Sequence, residues 1–226
     1  MDNNITRDIY PGWVRVLFWP LRLFFYLLYH QMAWMYDWVA GVVSLGSWQK
    51  WVLSVMPYLQ GTCILELGHG PGHLQKALWE KLNPPGVIFG LDASPQMIRI
   101  AGHRLKRSGY SPNLVNGTAQ NLPYPEGIFQ SVAATFPTQY IFDPSSLAEI
   151  YRVLTPGGRL VVLTTALITG RGLQEKTAAW LFKITGQSTP MERHLLEPAR
   201  RAGFHVKVQP IKLKSSILML LIAEKE

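Results

Sequence analysis

Two carboxylates and a run of alternating glycines carry most of the chemistry that this 226-residue chain could do. In Cys63-Ile-Leu-Glu-Leu-Gly-His-Gly-Pro-Gly-His-Leu74, Glu66 stands just ahead of Gly68, Gly70 and Gly72. A short apolar run, a glycine turn and the start of a helical pattern read as strand, tight loop and helix. Glycine suits such a loop because backbone approaches a ligand closely only where no Cβ intervenes and left-handed torsions cost little. The amides of the helix start then face the ligand. The second carboxylate, Asp92, ends the apolar run Val87-Ile-Phe-Gly-Leu-Asp. It follows the glycines by about twenty residues, the distance at which an acid at a strand end accepts ribose hydroxyls.

The spacing separates this loop from the dinucleotide fingerprint G-x-G-x-x-G. Its third glycine comes one residue early, at Gly72, and His73 stands where that motif has glycine. Glu66 would repel a pyrophosphate and welcome an ammonium group, so the ligand is expected to carry positive charge. In this pattern the stretch resembles motif I of the class I S-adenosylmethionine methyltransferases, hydrophobic residues followed by Glu/Asp-x-Gly-x-Gly-x-Gly. The resemblance implies S-adenosyl-L-methionine as cofactor. Glu66, Gly68, His69, Gly70, Gly72, Asp92, Ala93 and Met97 are then among the residues that bind it.

Other stretches extend the resemblance in chain order. Tyr36-Asp37, Ser44-Leu45-Gly46 and Trp51 are similar to the N-terminal signature of the ubiquinone/menaquinone C-methyltransferases and their relatives, a group that here also takes in the phospholipid N-methyltransferases. In that group the segment forms helices that close over the cofactor, which makes Tyr36 a cofactor contact by resemblance. Asn113 to Pro125 resembles the segment Gly-Asp-Ala-Glu-x-Leu-Pro-Phe that holds adenine, so Thr118 and Ala119 join the candidates. Thr118 and Gln120 replace acids of that pattern, yet both accept hydrogen bonds. Gln130 likewise departs from the usual Phe-Asp. Glu149 to Leu163, with its Pro156-Gly157-Gly158 turn, resembles the family's entry to a fifth strand and is given a structural role.

The elements that must position these residues follow from pattern. A helix is expected from about Pro71 to Leu82, ended by Asn83-Pro84-Pro85-Gly86. Phe129 to Thr135 reads as a central strand, and Phe136-Pro137-Thr138-Gln139-Tyr140 is the loop at its carboxyl end, where a second substrate arrives in an open α/β sheet. Phe136 is placed with the cofactor residues. A general base, if the methyl acceptor requires one, would come from Tyr140, His69 or His30. Enzymes that methylate amino groups of DNA bases carry Asp/Asn-Pro-Pro-Tyr in this loop, and this chain does not, so no nucleic-acid partner is expected. A final helix from Met191 and strands from Phe204 and from Ser216 to Ala223 complete an α/β Rossmann-like, seven-stranded, mostly parallel sheet with helices on both faces and an N-terminal helical cap.

Composition bounds the partners. Hydrophobic residues make up 48% and charged residues 16%, with a formal net charge of +8, which favours anionic partners. Cys63, the single cysteine, excludes an intramolecular disulfide and a cysteine-cluster metal site, and it is expected in the core. Residues 1–60 form an apolar arm and cap, and residues 61–226 the cofactor-binding domain, with an insertion at about 171–190 around Ala178-Ala-Trp-Leu-Phe-Lys-Ile. From Trp13 to Trp38 the arm is dense in aromatics, with Arg15 and Arg22 on one side of a helical wheel that Pro20 interrupts. Its uncharged stretch, Leu23 to Tyr36, falls short of the ~20 residues that span a bilayer. The arm is therefore expected to lie on a membrane surface. The protein is then cytoplasmic and peripheral on the inner face of the membrane, acting on a lipid acceptor, either a quinone precursor or a phospholipid headgroup amine. The alternatives are a soluble small-molecule methyltransferase whose arm is a lid or homodimer contact, and a non-catalytic protein of the same fold.

Overall fold

The structure is a computed structural model and describes residues 44, 46–82, 86–169 and 196–226. The arm through residue 43, with His30 and Tyr36, lies outside the described residues, as do the insertion, with Lys183, and Met191, the expected start of the final helix.

Strands β1 (Cys63–Leu67), β2 (Val87–Asp92), β3 (Asn113–Asn116), β4 (Phe129–Thr135), β5 (Leu154–Ile168), β6 (Phe204–Lys212) and β7 (Ser216–Lys225) form one 7-stranded sheet in the order β3-β2-β1-β4-β5-β7-β6. β1 to β5 pair in parallel, and β7 runs antiparallel to both β5 and β6. The described helices are α1 (Trp48–Leu53), α2 (His73–Lys81), α3 (Pro95–Arg107), α4 (Pro144–Val153) and α5 (Glu197–Arg201).

Alternation along the strands builds a core on each face. Leu65 and Leu67 of β1, Val132 and Ala134 of β4, and Leu160 and Val162 of β5 pack with Leu147, Ile150 and Val153 of α4. Ile64, Ala133, Val161 and Leu163 point the other way, onto Leu74 and Leu78 of α2 and Trp48, Trp51 and Val52 of α1. Glu66 has the parity of Ile64, so its carboxylate is directed to the α2 side. The chain leaves β1 toward β2 and β3, then returns to add β4 on the opposite flank. That reversal opens a crevice beyond the carboxyl ends of β1 and β4, where open sheets of this kind take ligands.

Three details differ from expectation. The helix after the glycines begins at His73, not Pro71, because Gly72 holds a left-handed φ of 84° and starts it from outside the helical region. Pro156-Gly157-Gly158 lies within β5 as a bulge, not ahead of it. Leu154 already pairs with Phe129 before the register resumes at Ser131 and Arg159. Cys63 opens β1 and is half-buried, not fully in the core, and burial still pushes its thiol up.

Candidate functional site

Backbone geometry explains the glycines. Gly68, Gly70 and Gly72 all have positive φ, at 65°, 52° and 84°. A Cβ on Gly72 would stand 2.9 Å from Cβ of Ala101, so this glycine lets α2 meet α3. A Cβ on Gly70 would meet nothing within 4 Å, so bare backbone faces open space at the crest of the loop. A Cβ on Gly68 would lie 2.8 Å from the Tyr140 hydroxyl. Tyr140 sits in the 3-10 turn Gln139–Phe142 after β4, so its ring reaches across the crevice to the loop after β1.

Asp92 fastens this loop. Its Oδ2 accepts from the Gly70 amide at 2.9 Å and its Oδ1 from the Ser94 amide at 2.8 Å. A carboxylate accepts about four hydrogen bonds, so capacity remains for two hydroxyls of a ligand. The Asp92 carbonyl also accepts from Asn116 Nδ2 and the Gly117 amide, which ties the end of β3, and so the exposed Thr118 and buried Ala119, to the same spot. Ser94 caps α3, its hydroxyl accepting from the Met97 amide at 3.4 Å. Ala93 is exposed between these two, whereas the Met97 side chain is fully buried under the cap.

Glu66 is 1% exposed, and burial pushes its carboxyl up to about 8, against the opposing hydrogen bond from Gln75. Gln75 of α2 donates from Nε2 to Glu66 Oε2 and to the Phe89 carbonyl, both at 3.0 Å. His69 is also buried, with its ring against Gly90 of β2. Its Nδ1 lies 2.7 Å from the Gly70 carbonyl, which only accepts, so the proton is on Nδ1. Burial lowers the His69 pKa and keeps the ring neutral, while Nε2 meets no partner among the described residues. The His69 ring thus lies on the β2 side of the loop, whereas the turn that carries Tyr140 follows β4, on the other flank of β1.

Phe136, straight after β4, is a non-glycine residue at φ 48° and is stacked on Trp48 at 4.8 Å between ring centroids. Backbone strain of this kind clusters at working sites. Trp51 of the N-terminal signature anchors α1 on the sheet by donating from Nε1 to Ser216 Oγ at 2.9 Å, and Ser44 Oγ accepts from the Trp48 amide at the start of that helix at 2.9 Å.

Sequence reasoning missed Gln75 and a clamp from α4. Glu149 and Arg152 pair at 2.7 Å, and Arg152's hydrogen bond holds Glu149 below the usual carboxylate range. Glu149 accepts from the Leu122 amide, and Arg152 donates to the Leu122 and Tyr124 carbonyls, which fixes the turn after Ala119. A polar residue on the buried face of α2 was the available signal for Gln75. Among the described residues no group of three or more His, Cys, Asp or Glu could hold a metal ion.

A doubly wound sheet with a bare-backbone loop at its switch point, fastened by a strand-end carboxylate, defines a Rossmann-like α/β protein with a nucleoside-type candidate site. The profile of the ubiE/COQ5 methyltransferase family matches residues 26–192. The chain belongs to that family. It is 32% identical over 142 residues to the demethylmenaquinone methyltransferase of Symbiobacterium thermophilum, covering 60% of this chain and 57% of that protein. It is 27% identical over 186 residues to the ubiquinone/menaquinone biosynthesis C-methyltransferase UbiE of Blochmanniella floridana, covering 76% and 73%. Among solved structures, Haemonchus contortus phosphoethanolamine N-methyltransferase 2 in complex with S-adenosyl-L-methionine shares the fold at a TM-score of 0.58 and 16% identity, over 80% of this chain and 53% of that one. Geranyl diphosphate C-methyltransferase from Streptomyces coelicolor, bound to S-adenosyl-L-homocysteine, does so at 0.60 and 13%, over 77% and 78%.

Proposed function

We propose that this chain is an S-adenosylmethionine-dependent methyltransferase whose acceptor is a lipid-soluble quinone precursor. The observation that carries the reading is the Gly70 crest: open backbone held from below by Asp92, which keeps accepting capacity for a ribose. Glu66 and the loop amides fit the amino acid end, and the Thr118–Ala119 turn beside Asp92 fits the base. The bound cofactor would supply an activated methyl group, and this chain's residues need chiefly to position the acceptor in line with it. Tyr140 is the candidate to touch the acceptor, because its hydroxyl lies over Gly68 at the crevice. His69, turned toward β2, is assigned to the cofactor loop and not to proton abstraction. The demethylmenaquinone and ubiquinone/menaquinone names of the relatives support a quinone-type acceptor over a phospholipid amine.

The test is incubation with labelled S-adenosylmethionine and liposomes containing a demethylated quinol. Label in the quinone fraction is expected. Label confined to the phospholipid fraction or to a water-soluble small molecule contradicts the acceptor. No label anywhere, with no S-adenosylhomocysteine binding, contradicts the activity.

A further inference from the structure

Along α3 runs a surface that the cofactor and acceptor sites do not use. Arg99, Ile100, His103, Arg104, Arg107 and Ser108 line an open cleft of about 510 Å³. Arg99, His103 and Arg107 recur every fourth residue and so form one inclined row on the outer side of the helix, rising about 12 Å at 1.5 Å per residue. All three are exposed, as is Lys106 beside them, and no ion pair among the described residues engages them. The helix sequence, Pro-Gln-Met-Ile-Arg-Ile-Ala-Gly-His-Arg-Leu-Lys-Arg, contains no acid to offset them.

The helix that carries the stripe packs on the glycine loop through other residues. Ala101 lies against Gly72, and Arg104 donates to the Pro71 carbonyl at 2.6 Å with His73 Nε2 at 3.2 Å. α3 starts three residues after Asp92. The middle of the helix therefore stands level with the glycine loop, and its N-terminal half flanks the mouth of the crevice.

We infer that the basic stripe of α3 is a docking surface for an anionic phospholipid bilayer, which brings the crevice to where a lipid-soluble acceptor resides. This rests on the acceptor class proposed above. Long exposed basic side chains along one helix can reach phosphates spread over a plane, and each basic residue near an anionic surface adds to binding until salt screens it. A single-stranded nucleic acid would want aromatic rings interleaved with the charges, and the first after the stripe is Tyr110.

Flotation of the full chain with phosphatidylcholine vesicles, with and without phosphatidylglycerol, tests the surface without turnover. Binding is expected only to the anionic vesicles and is expected to weaken with salt. Arg99→Gln/Arg107→Gln should lower the partition coefficient about thirtyfold, the effect of two surface cations. Arg99→Glu/Arg107→Glu should abolish binding. Both variants should hold S-adenosylhomocysteine as tightly as the parent in calorimetry, which shows that they fold. Undiminished vesicle binding by both variants overturns the inference, as does its loss only in Arg15→Glu/Arg22→Glu. Equal binding to neutral vesicles, no vesicle binding by the parent, or preference for nucleic acid also overturns it. Methylation of a detergent-solubilised quinol, measured separately, tells failure of this surface from failure of the acceptor assignment.

Discussion

Glu66 concentrates the chemistry of the site in one side chain. Burial raises its carboxyl to about 8, so the folded protein holds a proton there that an unfolded chain releases near 4.3. The stability Glu66 contributes is fully present below that lower value and is lost as pH rises through 8. A cationic ammonium placed beside it reverses the preference and expels the proton. Calorimetric titration with S-adenosylhomocysteine at pH 7, in buffers of different ionisation enthalpy, should therefore reveal proton release on binding. Glu66→Gln should release none and bind about tenfold more weakly, while its melting temperature falls less between pH 5 and 8. Buffer-independent heats would count against this account. Asp92 differs because its carboxylate already fastens the loop. Asp92→Asn sets an amide N–H against one of two backbone donors and should cost about 1.5–3 kcal/mol in a denaturation curve, besides weakening nucleoside binding at least tenfold.

At the scale of elements, two glycines on either side of Pro71 do separable work. Gly72→Ala forces a side chain into φ 84° and against Cβ of Ala101, so it should destabilise by about 1–3 kcal/mol in chemical denaturation. Gly70→Ala meets no atom within 4 Å, and its larger effect should fall on S-adenosylhomocysteine affinity, because the methyl occupies the crest. Equal losses of stability in the two variants would contradict the division. The ends of β2 and β4 were legible in the sequence, because an apolar run bounded by Asp92 or by the Phe136-Pro137 turn leaves little freedom. So was the place of Asp92 at a strand end, whose distance from the glycines is set by one βαβ unit. Gln75 and the Glu149–Arg152 clamp were not, since each reaches a partner that only the finished sheet brings near. The Pro-Gly-Gly bulge escaped for a related reason: a turn dipeptide reads alike whether the strand has begun or not.

For the molecule as a whole, the sheet supplies a crevice between the glycine loop after β1 and the turn after β4, and Tyr140 of that turn reaches Gly68. Tyr140→Phe should slow methyl transfer about ten- to a hundredfold, and S-adenosylhomocysteine affinity should change by less than about threefold. Comparable losses in both would make the hydroxyl part of the cofactor site instead. Among the described residues no helix is long and apolar enough to cross a membrane. All of this depends on the glycine loop and Asp92 holding the nucleoside. A crystal of the protein grown with S-adenosylhomocysteine tests that directly. The account predicts its ribose hydroxyls within hydrogen-bonding distance of the Asp92 carboxylate, with the amino acid end lying over Gly68–Gly72. Density for the nucleoside anywhere else on the molecule would contradict it.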